Sequence, residues 1–137
     1  MRIGWAIPCK YLEVHDGLGT LIGAGANHYA VAEFPTTLSV WVAVQVHGHR
    51  SEVEADHGLA IQPLGPDMEP CGAPLDMGFR FPAQRAPNEP DGWEVGALIP
   101  TLITFVAEDR GTYTLQLNVD DKTTTVPLYV RSNQTGD

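Results

Sequence analysis

The stretch "VQVHGHRSEVEADHG", Val44 to Gly58, holds His47, His49 and His57 together with Glu52, Glu54 and Asp56. Imidazoles and carboxylates at this density have the donor types of a metal site. His47 and His49 are two apart, so on a continuing strand they point to one face. His57 could return to meet them, with Glu54 or Asp56 as a carboxylate ligand. Two or three imidazoles plus a carboxylate suit Zn²⁺. Against this, Gly48 loosens the strand between the first two histidines, and no H-E-x-x-H spacing is present. A simpler account uses the same residues. Ser51 followed by Glu54 fits S-x-x-E, a capping box. "SEVEADH" is then a short helical turn with acids early and His57 late, as the helix dipole favours. The stretch reads as a surface linker, with zinc at His47, His49 and His57 as the alternative.

Other chemistry has less support. Cys9 shares a face with Trp5 and Ile7, where a cysteine serves as a small core hydrophobe. Cys71, in "EPCGAP", is expected to be exposed, but no basic neighbour lowers its pKa. "GAG" at Gly23 lacks the G-x-G-x-x-G spacing and a following helix. No G-x-S-x-G is present. Asp120 and Asp121 could help bind Ca²⁺ as in other sandwich domains, yet Asp-Asp is also ordinary turn chemistry. Trp93, in "PDGWEVG", follows a turn beside a Pro-rich loop and is a candidate contact anchor. The competing reading packs it onto the end of the fold. No catalytic residue is assigned.

These residues must be carried by strands. "LSVWVAVQV" places Val40, Val42, Val44 and Val46 on one face and Ser39, Trp41, Ala43, Gln45 and His47 on the other. Ile3, Trp5, Ile7, Cys9 and Tyr11 alternate likewise, with a bulge or edge expected at Pro8. Asp16-Gly17 signals a turn, followed by a strand over Thr20 to Ala26. "LAIQPL" and "MGFRF" read as short strands, and "PAQRAPNEPDG" as an exposed loop. "VGALIPTLITFV" reads as a strand bent or interrupted at Pro100. Tyr113, Leu115, Leu117 and Val119 pair with Val126, Leu128 and Val130 as a half-buried hairpin.

Asp109, Gly111 and Tyr113 have the D-x-G-x-Y spacing of a tyrosine corner, in which the hydroxyl bonds back to an inter-sheet crossover. Leu115 stands where an antibody domain has its second cysteine. Together these predict an all-β protein: an antiparallel β-sandwich, immunoglobulin-like, of about eight strands with one short helical turn. Residues 1–131 form one domain and 132–137 a disordered tail.

Composition bounds the partners. At 137 residues the chain builds one core. Its 8 basic against 17 acidic residues give a net charge of −9, which disfavours nucleic acid and anionic membrane surfaces. No run approaches the ~20 apolar residues of a membrane helix, and Pro8 and Lys10 break the opening run as a secretory signal. A cytoplasmic protein with reduced Cys9 and Cys71 is expected.

The opening "WAIPCKY" resembles the W-A-x-x-C-x-Y start of a family of small bacterial proteins of unknown function. Here the pattern falls on Trp5, Ala6, Cys9 and Tyr11. Gly23 and Gly25 in "LIGAG", Phe34 and Pro35, "EVEADHGLAIQPL" with His57, and "GTYTLQLNVDD" with "PLYV" extend the resemblance over most of the chain. Lys10 departs from that family's usual Asp, and "LGPDMEP" blurs its usual D-x-D-G turn. The resemblance implies a β-sandwich and brings no catalytic residues.

The expected function is a non-enzymatic interaction or assembly module that binds a protein partner or itself. The alternatives are the zinc protein described above and a small-ligand or carbohydrate-binding sandwich with Trp93 as its stacking platform.

Overall fold

The computed structural model describes residues 1–52, 55–81, 88–90 and 92–133. Among these the chain forms β1 (Arg2–Cys9), β2 (Tyr11–His15), β3 (Leu18–Ile22), β4 (His28–Val31), β5 (Thr36–Gly48), β6 (His57–Leu64), β7 (Leu75–Phe79), β8 (Val95–Ala107), β9 (Gly111–Val119) and β10 (Lys122–Ser132). One 3-10 turn, Arg50–Glu52, separates β5 from β6. The all-β class is as the alternation predicts. Ten strands stand among the described residues where about eight are expected, because β2 separates from β1 and β4 is only four residues long.

The strands form a three-stranded sheet in the order β1-β5-β8, a five-stranded sheet in the order β4-β10-β9-β6-β7, and the β2-β3 hairpin. All pairings are antiparallel except β4 with β10. One core joins the inner faces of the two larger sheets. Val40, Val42, Val44 and Val46 of β5 meet Leu59, Ile61, Leu115, Leu117 and Leu128 from the other sheet. All nine are buried, and the hydrophobic effect of that burial holds the sheets together. The hairpin lies behind the three-stranded sheet, where Leu12 packs with Cys9 and Ala43, flanked by Val14, Leu21, Trp41 and Leu98.

Two features follow the sequence closely. Asp16 and Gly17 both have positive φ (51° and 76°) and join β2 to β3 as a two-residue turn. The tyrosine corner forms where the chain crosses between the two larger sheets. The Tyr113 hydroxyl donates to the Asp109 carbonyl at 2.6 Å.

Four local expectations are corrected. The irregularity of β1 lies at Gly4, not Pro8: Ile3 pairs with Val46 and Trp5 with Gln45, so one extra residue is accommodated between them. A bulge of this kind turns Ile3 to the core face and Trp5 to the outer face, breaking the single apolar face of the alternation. Tyr11 belongs to the next strand, β2. β8 runs unbroken through Pro100, which pairs with Ala43. A proline is tolerated there because β8 is an edge strand of its sheet. The glycines of "GAG" form a turn after β3, where the Gly25 N–H donates to the Pro8 carbonyl at 2.7 Å. The segment from Pro82 to Pro87 and the acid at Glu54 lie outside the described residues, as does the tail from residue 134.

Candidate interaction site

The three histidines go to different places. His47 is on the outer face of β5, above Gly4 and Gly96; a Cβ on Gly4 would lie 2.4 Å from its ring. Gly48, next along the strand, faces the opposite way, and a Cβ there would meet the ring of Phe81. His57 packs on that inner side, with its ring 5.5 Å from those of Phe79 and Phe81. His47 and His57 are thus on opposite sides of β5. His49 is exposed. Among the described residues no group of three or more His, Cys, Asp or Glu side chains is placed to share a metal ion.

His57 is 8% exposed, and both ring nitrogens face oxygen acceptors. Nε2 is 2.9 Å from the Glu52 carbonyl and Nδ1 is 3.2 Å from the Asp120 carboxylate. The imidazole therefore ties the 3-10 turn to the β9-β10 turn, a structural role. The expected capping box of Ser51 and Glu54 rests on Glu54, outside the described residues. The Glu52 carboxylate reaches back three residues to accept the His49 N–H at 2.9 Å. It also accepts from the Met1 amino group at 3.2 Å. The His49 N–H, with the amino group adding to it, holds the Glu52 carboxyl below its ordinary range. Asp56 is lowered by its hydrogen bond and charge pair with Arg80.

Cys9 and Cys71 are free thiols. Cys9 fills the small core under the hairpin, as its position in β1 predicts. Cys71 is half-buried rather than exposed, packed against the main core. Burial pushes both thiols above their ordinary pKa, which keeps them protonated and poorly nucleophilic at neutral pH.

The outer face of the three-stranded sheet and its hairpin has a different character. Ile22 and Tyr11 are register partners across the hairpin. Tyr11 meets Trp41 edge-on at 6.2 Å between ring centroids. Trp41 is in turn the register partner of Leu102 on β8. Directly opposed residues share a face, so these four side chains make a continuous aromatic and aliphatic band. Ile22 is 56% exposed, Tyr11 46% and Leu102 46%, with Trp5 and Val106 exposed on the same outer face of the sheet. Water-facing apolar side chains in a row, rather than singly, are the physical mark of a contact surface.

Sequence reasoning missed this band. The signal was present in β5, where Trp41 and Ala43 interrupt what would otherwise be a polar outer face. Trp93 is 61% exposed, and its backbone N–H donates to the Pro90 carbonyl at 3.2 Å.

The opposite, outer face of the five-stranded sheet holds a shallow cavity of about 440 Å³, its lining largely apolar with polar groups at the border. Its floor includes the register partners Gly58 and Gly78, and Asp76, Asn118 and Asp120 stand around it.

Fold and site together define an all-β protein that presents an apolar band on one sheet and, on the other, a shallow trough bordered by Asp76, Asn118 and Asp120. The chain belongs to the Family of unknown function DUF6941, whose model matches residues 5–131. That agrees with the resemblance carried by the motifs from Trp5 onward. No curated protein matches the chain, and no solved structure matches it. Among the described residues no helix is long and apolar enough to cross a membrane.

Proposed function

We propose that this protein is a non-enzymatic interaction or assembly module, built as an immunoglobulin-like β-sandwich and working in a bacterial cytoplasm. The observation that carries the reading is the continuous band Ile22, Tyr11, Trp41 and Leu102. Side chains of this kind lose water-exposed apolar surface when a partner covers them, at roughly 25 cal/mol per Å². Aromatic residues are also enriched among the few that dominate binding energy.

The immunoglobulin-like reading is supported by the strand order β1-β5-β8 beside β4-β10-β9-β6-β7. The parallel β4-β10 pair and the tyrosine corner at Asp109 and Tyr113 support it as well. The two protonated, free thiols suit a reducing compartment. The net charge of −9 favours a protein surface over a phosphate-rich one.

Static light scattering over a concentration series, with a pull-down from native lysate, tests the proposal. Self-association or a stoichiometric partner is expected, lost in Leu102→Glu. A strictly monomeric protein with no partner would contradict it.

A further inference from the structure

The trough on the five-stranded sheet is open to one side. β7 is the last strand in that sheet's order, and among the described residues no strand pairs with its outer edge. Gly78 of β7 and Gly58 of β6 are register partners on the outer face. A Cβ on Gly58 would meet nothing within 4 Å, and one on Gly78 only the His57 carbonyl at 3.8 Å. Neither glycine is there to relieve crowding, and neither has positive φ. Side by side they clear a lane from the free edge across two strands.

Beyond Gly58 the lane reaches Asp120, whose N–H faces the Gly58 carbonyl at 3.4 Å. Asp76 flanks it, two residues from Gly78 on the same face of β7. The Asp76 carboxylate has no hydrogen bond or ion pair among the described residues. The nearby cation Arg80 is engaged by Asp56.

We propose that the free edge of β7 accepts an extended segment of a basic protein partner as an added strand. An arginine or lysine opposite Gly78 lies along the glycine lane, with its cation beside Asp76 and directed toward Asp120, whose Oδ2 also faces His57. The main chain of the added strand bonds to the edge, and the lane supplies side-chain selectivity. The distance fits. From the added strand to Asp120 is three strand spacings, roughly 14 Å, which an extended arginine, the aspartate side chain and the hydrogen bond between them span together. The floor of bare peptide planes suits a flat guanidinium, and the carboxylates suit its fork of donors. A basic partner fits the lane better than a second copy, since the lane asks for a cation and this chain has only 8 basic against 17 acidic residues. The site goes beyond the apolar band and uses the other sheet, so Leu102→Glu leaves it unchanged and the two proposals fail separately.

The test is selection of phage-displayed random linear peptides on the intact protein. A selected synthetic peptide is then titrated by nuclear magnetic resonance. Enrichment of alternating sequences with a central arginine or lysine is expected, with amide shifts concentrated at Leu75–Phe79 and Gly58. Asp76→Asn should weaken binding roughly tenfold, as expected for one lost charge contact. Gly78→Val, which fills the lane, should abolish it with the fold intact by circular dichroism. Peptides enriched without a cation, shifts centred elsewhere, binding retained in both variants, or no enrichment would each overturn the proposal.

Discussion

The ring of Tyr11 stands edge-on to the ring of Trp41, 6.2 Å between centroids, and links the β2-β3 hairpin to the back of the three-stranded sheet. An aromatic pair of this geometry contributes about 0.5–1.5 kcal/mol beyond its buried area. The hairpin otherwise rests on the small cluster of Cys9, Leu12 and Ala43. Tyr11→Ala should therefore loosen β2 and β3 selectively. Amide hydrogen exchange should speed up across Tyr11–Ile22 while β9 and β10 keep their protection. Uniform acceleration would mean that the hairpin is part of the main cooperative unit.

The contacts of His57 predict unequal costs among the histidines. His57→Ala removes a buried ring that faces the Glu52 carbonyl and the Asp120 carboxylate. A loss of about 1–3 kcal/mol is expected from denaturant unfolding. His49→Ala, at an exposed position, should stay within about 0.5 kcal/mol. Equal losses in both variants, reproduced in the parent protein by a chelator, would instead indicate a shared metal.

The turn at Glu52 predicts a pH dependence. The folded state holds this carboxyl below its ordinary value of 4.5, so the unfolded chain takes up the proton more readily. The resulting stability is fully present above that value and is lost as pH falls through the lower folded one. Glu52→Gln should therefore flatten the acid side of the stability profile while lowering stability at neutral pH by less than about 1 kcal/mol, because Gln keeps an acceptor for the His49 N–H and loses only the charge. An unchanged acid slope would place the effect on other carboxylates.

How much of this was legible in the chain varies by residue. The β-branched face of β5 and the alternation from Tyr113 to Val130 show directly, because a buried face imposes a period of two. The Tyr113 to Asp109 bond shows too, since a short motif fixes it. The bulge at Gly4 does not: either Gly4 or Pro8 could absorb the extra residue, and register with β5 decides. The parting of His47 from His57 is likewise invisible in sequence spacing. It depends on which side of β5 each residue meets once β6 has crossed to the other sheet. The band depends on Tyr11, Trp41 and Leu102 coming together from three separate strands, which no local pattern records.

Gly58 offers an opposite kind of test. Its outward position is open and its φ is not in the left-handed region. Glycine in a strand interior costs roughly 0.5–1 kcal/mol relative to a residue with a side chain. Gly58→Thr should therefore stabilise the protein by up to about that amount in thermal or denaturant unfolding. A destabilised variant would show that the strand needs glycine for its own geometry.

The central claim is that the outer face of the three-stranded sheet is a contact surface. Site-specific photo-cross-linking in the native host tests it most directly, with a photoreactive residue in place of Leu102. A discrete adduct of fixed size is predicted. It should be absent when the probe replaces Thr125 on the other sheet and lost when Tyr11→Glu is added. Monomer alone at both positions, or the same adducts from both, would contradict the account.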